Sequence, residues 1–111
     1  MNALRDSHCT SIEKGAAPLD VKRAHELLVQ VPEWQLAGDS KSISRLYRFS
    51  DFHKTMAFVN ALAWIAHQED HHPDLEVGYN RCMVRYSTHT AQGLTLNDFI
   101  CAARIDALLE R

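Results

Sequence analysis

Residues 67–74, HQEDHHPD, crowd His67, His71 and His72 together with Glu69, Asp70 and Asp74 before and just after a proline. Imidazoles titrate near pH ~6.5, so such a cluster can donate and accept protons at neutral pH, and it can also ligate a metal. On a helix, His67 and His71 would share one face, within about 40° of Asn60 and with Trp64 at the border. Near a helix C-terminus the backbone dipole favours the protonated ring, a setting suited to proton chemistry. His72 precedes Pro73 and is biased away from helical geometry, so its side chain should leave the helix line. Two adjacent histidines can then do different jobs.

A metal site competes with this reading, because His67-x-x-x-His71 has zinc-ligand spacing and His72 or His89 could complete a set. In the H-E-x-x-H arrangement, however, the glutamate directly follows the first histidine; here Gln68 stands there and Glu69 comes one position late. The expectation is that no metal is bound. A purely structural reading stays open on the cluster alone, with His67 and His71 capping carbonyls at a helix end and His72 solvated.

The rest of the chain must position these residues. At 111 residues it suits one small domain, and with 46% hydrophobic and 23% charged residues it has an ordinary globular composition. A net charge of −2 provides no electrostatic footprint for direct nucleic-acid or membrane binding. Cys9, Cys82 and Cys101 are odd in number and widely spaced, which suits free thiols in a reducing compartment. No stretch resembles a secretory leader or approaches the ~20 apolar residues of a membrane span, so a cytoplasmic location is expected.

Residues 1–17 are polar and aperiodic, which predicts a flexible arm ahead of a domain spanning 18–111. Val21, Ala24, Leu28 and Val31 predict a first helix starting near Asp20 and stopped by Pro32. Trp34–Leu36 and the alternating Ile43–Phe49 predict a hairpin around Gly38-Asp39-Ser40. Ser50 is a candidate cap for a second helix running to about His71. That helix would carry two apolar stripes, one of Phe52, Met56, Val59, Ala63 and Ala66, the other of Ala57, Phe58, Ala61, Trp64 and Ile65. Leu75–Tyr79 and Cys82–Thr88 read as a second hairpin, in which Tyr79 would pack in the sheet. Thr95-Leu96-Asn97-Asp98 is a capping signal for a last helix, with Ile100 and Ile105 on its two apolar sides. The order helix, hairpin, helix, hairpin, helix predicts an α+β fold: a four-stranded antiparallel sheet with three helices on one face. Apolar helix faces left over by one sheet predict a homo-oligomer, a homodimer or homotetramer. His8, His25 and His53 show no partners and are expected to be solvated.

Taken together, His67, His71-His72-Pro73, Tyr79, His89 and Asp98 resemble the signature of the pterin-4a-carbinolamine dehydratase family. In that signature an ionisable residue stands ahead of H-H-P with three residues between, and an aromatic, a histidine and an aspartate follow. The likeness runs from about residue 18 to the end and includes Phe49-x-Asp51-Phe52, Tyr79-Asn80, Ser87-Thr88-His89 and Gly93-Leu94-Thr95. This chain has His67 where many relatives carry an acid. The resemblance implies a hydro-lyase that removes water from a 4a-hydroxytetrahydropterin to give quinonoid dihydropterin, recycling the cofactor of aromatic amino acid hydroxylases. It implies no cofactor and no metal. His71 and His89 would be the acid and base, and His72 would bind and orient the pterin. His67, Pro73 and Asp98 would support them, Pro73 by ending the helix. Relatives also act as dimerisation cofactors of a transcription factor and as assembly helpers, which is the alternative, non-catalytic expectation.

Overall fold

A computed structural model describes residues 3–110. Asp20 caps α1 (Val21–Leu28) by accepting the Arg23 N–H at 2.8 Å. The helix is shorter than its apolar spacing predicts, because Val29–Val31 already form a turn ahead of Pro32, and this turn buries Val31. β1 (Gln35–Leu36) pairs antiparallel with β2 (Ile43–Arg48) across the Gly38–Ser40 turn. Asp51, not Ser50, caps α2 (Phe52–Glu69), its carboxylate accepting the Lys54 N–H at 2.8 Å. β3 (Asp74–Val77), β4 (Arg81–Tyr86) and α3 (Leu96–Ala107) complete the chain. The sheet order is β1-β2-β4-β3, all antiparallel.

Register fixes the inner face. Ile43 sits opposite Tyr86, and Tyr47 opposite Cys82, so these residues and Val84 share one side of the sheet, and all are buried. Ala24 and Leu27 of α1, Phe58 and Leu62 of α2, and Phe99, Ile100 and Ile105 of α3 pack into the same core, giving the expected layer of three helices on one face. Within that architecture the α2 stripes differ from expectation. The buried line is Thr55, Phe58, Leu62 and Ala66, which takes one residue from each predicted stripe. Thr55 belongs there because its hydroxyl bonds the Asp51 and Tyr79 carbonyls at 2.8 and 3.0 Å, so a polar residue is satisfied in the core. Phe52 and Trp64 are instead exposed, at 48% and 61%. Tyr79 stands in the β3–β4 connection, 65% exposed, rather than in the sheet.

The segment expected as a flexible arm lies against α3, although it has little regular structure beyond one turn of 3-10 helix at Leu4–Asp6. Leu4 is buried, and the Asn97 side chain brackets the Thr10 backbone, accepting its N–H at 3.0 Å and donating to its carbonyl at 2.7 Å. Cys9 N–H donates to Glu69 at 2.6 Å. These anchors are non-local, between positions about 60 to 90 apart, so no periodicity in the arm could announce them.

Candidate active site

The α2 helix stops two residues before His71. Asp70 adopts the left-handed conformation (φ 50°, ψ 44°), its N–H returns to His67 O at 3.2 Å, and His71 N–H returns to Ala66 O at 3.1 Å. These are the paired bonds of a Schellman stop. The helical seam expected to hold Asn60, His67 and His71 therefore does not form. His67 stays on the exposed helix surface beside Trp64, ring centroids 5.6 Å apart, while His71 is turned inward.

What His71 meets is a buried carboxylate. Its Nε2 lies 2.6 Å from Asp98 Oδ1, and Asp98 is fully buried in the first turn of α3. The other Asp98 oxygen accepts the Thr88 hydroxyl at 2.8 Å and the Thr95 N–H at 2.9 Å, the latter being half of the predicted capping box. Thr95 Oγ1 and Thr88 Oγ1 are 2.7 Å apart, which extends the network by one more hydroxyl. Tyr86 stacks on the imidazole at 5.2 Å and 17°, and its hydroxyl donates to the His71 carbonyl at 3.2 Å. Burial, the largest influence, disfavours a charged ring, but the Asp98 hydrogen bond and charge outweigh it, so the His71 pKa is raised above its ordinary value. With Nε2 committed to Asp98, Nδ1 is the nitrogen left for proton exchange.

A cavity of about 470 Å³ opens beside this network, and His71, His72 and His89 all line it. His72 and His89 are exposed, whereas only 12% of the His71 side chain is accessible. His89 arrives from a separate part of the chain, at the start of a 3-10 turn just beyond β4. Thr88 pairs with Gly93 across the ends of that turn. Gly93 tolerates no side chain, since a Cβ there would come 2.8 Å from Pro18. Pro73, half-buried, starts the run into β3 and does not line the cavity; nor does His67. Among the described residues, no group of three or more His, Cys, Asp or Glu side chains is placed to hold a metal ion.

Sequence reasoning missed one wall entirely. Thr10, Ser11 and Ile12 also line the cavity, and Asn97 contributes both to the lining and to the anchor of Thr10. It also misjudged His8, which is not merely solvated: its Nδ1 is 2.9 Å from Glu69, a carboxylate shared with Cys9 N–H and approached by Arg104 at 3.9 Å. His25 and His53 are exposed, as expected. Losing the two Asn97 bonds in Asn97→Ala should free the wall at a cost of about 1–3 kcal/mol. If the wall contacts the bound molecule, KM should rise about five-fold with kcat changed less than about two-fold, measurable by steady-state kinetics.

The family model for pterin 4 alpha carbinolamine dehydratase matches residues 17–108. A protein of Chromobacterium violaceum named "Putative pterin-4-alpha-carbinolamine dehydratase" is 54% identical over 111 residues, covering 100% of this chain and 99% of its own. A protein of the same name from Xanthomonas campestris pv. campestris (strain 8004) is 53% identical over 108 residues, covering 97% of this chain and 92% of its own. Among solved structures, a transcriptional coactivator/pterin dehydratase from Brucella melitensis superposes with a TM-score of 0.80 at 30% identity, covering 84% of this chain and 99% of that one. A pterin dehydratase-like protein described as a RuBisCO assembly factor in the alpha-carboxysome reaches a TM-score of 0.60 at 25% identity, covering 68% of this chain and 88% of that one. With nearly the whole domain matched, this chain belongs to the pterin-4-alpha-carbinolamine dehydratase family.

Proposed function

We propose that this protein is a hydro-lyase that converts a 4a-hydroxytetrahydropterin to quinonoid dihydropterin and water, returning the cofactor of aromatic amino acid hydroxylases to use. The observation that carries the reading is the convergence of three imidazoles on one cavity, one of them backed by the buried Asp98 carboxylate. Elimination needs a proton delivered to the leaving hydroxyl and a proton removed from the neighbouring ring nitrogen. One acid and one base on either side of the ring suffice. His71, presenting Nδ1 with its pKa raised, and His89, from a separate segment lining the same cavity, are suited to that pair; His72 would hold and orient the ring. Asp98 acts through His71, fixing its tautomer and orientation. No step requires a metal or a redox cofactor. In an absorbance assay with freshly generated carbinolamine, the protein should accelerate quinonoid product formation well above buffer alone; no acceleration would remove the catalytic assignment.

A non-catalytic assembly role is the second reading, favoured by the exposed apolar side chains of α2 and of the chain beyond α3. Phe52, Trp64, Leu108 and Leu109 are each at least 40% exposed. The same surface supports self-association into a homodimer or homotetramer, and catalysis and assembly are compatible. Sedimentation at micromolar concentration should therefore give an oligomer; a monomer would dispose of the self-association. No helix among the described residues is long and apolar enough to cross a membrane.

A further inference from the structure

Cys9 and Cys101 are 92 positions apart in the chain, yet their sulfurs lie 3.5 Å from each other. Cys101 is fully buried on α3, and Cys9 is half-buried in the N-terminal segment. Their proximity is fixed by backbone anchors rather than by a loose side chain. Cys9 N–H is held by Glu69 at 2.6 Å, the next residue is bracketed by Asn97, and Cys9 Sγ itself lies 3.6 Å from the Asn97 carbonyl. A disulfide requires the sulfurs to approach to about 2.05 Å, a further closure of roughly 1.5 Å, within the range of side-chain rotation and a small shift of the segment.

The two sulfurs differ: Cys101 is the more readily ionised, and Cys9 is the one that an oxidant can reach. Either thiol can donate in the Cys9–Cys101 contact; that contact, opposed by burial and aided by the nearby charge of His71, lowers the Cys101 pKa, while Cys9 is pushed up. Cys82, the third thiol, is buried on β4, where burial pushes its pKa up.

We propose that Cys9 and Cys101 are an oxidisable pair that a hydroperoxide converts to an intramolecular disulfide, latching the segment that walls the histidine cavity. Cys9, the sulfur an oxidant can reach, attacks one peroxide oxygen while its S–H proton is carried to the departing oxygen. The O–O bond breaks, leaving a sulfenic acid on Cys9 and releasing the first water. The Cys101 sulfur then displaces the sulfenic oxygen: the S–S bond forms, the S–O bond breaks, and the second water leaves. Two thiols lose two electrons and two protons, and one hydrogen peroxide becomes two waters. Because Thr10, Ser11 and Ile12 directly follow Cys9, the covalent tie fixes one side of the cavity. The oxidation itself does not depend on the dehydratase reading.

The test treats the full chain with a modest excess of hydrogen peroxide, alkylates it in denaturant and maps the peptides without reduction. The expected result is a loss of two hydrogens from the monomer mass, a Cys9–Cys101 linked peptide, and one alkylatable thiol, Cys82, in place of three. Cys9→Ser, at the half-buried position, should keep the native circular dichroism and form no link. Exchange of the backbone amides of residues 10–12 should slow at least about ten-fold on oxidation and recover with dithiothreitol. Three surviving thiols, a sulfinic acid on Cys9 without a link, or a link through Cys82 or between chains would overturn the pair. A correct link with unchanged exchange at residues 10–12 would overturn the latch.

Discussion

His71→Ala is expected to lower kcat for carbinolamine dehydration by about 10²–10⁴-fold, the usual contribution of a positioned proton-transfer group. The loss should fall on kcat more than on KM, because the imidazole's advantage lies in Nδ1 exchanging a proton as the bond to the hydroxyl breaks. His71 is also the most constrained of the three histidines, held at Nε2 by Asp98, on one face by Tyr86 and at its carbonyl by the Tyr86 hydroxyl. A group fixed on three sides has little orientational freedom left to lose in the transition state. His72→Ala, at an exposed position, should act mainly on KM. His89→Ala should resemble His71→Ala in kcat, and the double variant should retain no activity above buffer. Steady-state assays of the three single variants and the double settle the division of labour, and full activity in the double variant would falsify the assignment of both roles.

Asp98→Ala carries the largest expected cost in stability, about 3 kcal/mol. Removing one partner of a buried charged pair costs several kcal/mol, and the slight exposure of His71 keeps the value at the lower end. The substitution strands the Thr95 N–H as well as His71 and leaves the Thr88 hydroxyl with Thr95 Oγ1 alone, in a protein where, among the described residues, no buried side-chain nitrogen or oxygen otherwise lacks a partner. Asp98→Asn separates charge from shape. The folded His71 pKa is raised above its unfolded value, so the pair's contribution to stability is fully present below about pH 6.5 and is lost as pH rises through the folded pKa. In Asp98→Asn the His71 titration followed by NMR should move down, and the decline of stability with rising pH over that window should flatten. An unmoved titration would mean that Asp98 is no more than a helix cap.

Much of this was legible in the sequence, and the part that was not has identifiable causes. Alternation in Ile43–Tyr47 and Cys82–Tyr86 revealed the sheet's inner face, since register with period two leaves no other side for those residues. Asp98 could be read as a helix-start acid, yet its second partner, His71, lies 27 positions away, and no local pattern encodes that contact. The two-stripe reading of α2 failed because periodicity counts apolar residues, whereas burial selected Thr55, whose hydroxyl finds carbonyl partners, and left Phe52 and Trp64 outside. His67 and His71 seemed to share a face only while the helix was assumed to continue; one residue in the left-handed region is enough to part them. The wall formed by residues 10–12 had no signal at all, because its anchors are single side chains on α2 and α3 gripping main-chain atoms.

The turn at Asp70 means that the heading of His71 is written into the main chain before any side chain takes hold of it. Grafting this chemistry onto another scaffold would thus call for a helix terminated in the same way, with an acid lodged beneath it; the letters H-H-P without that stop would not set the first ring against the acid.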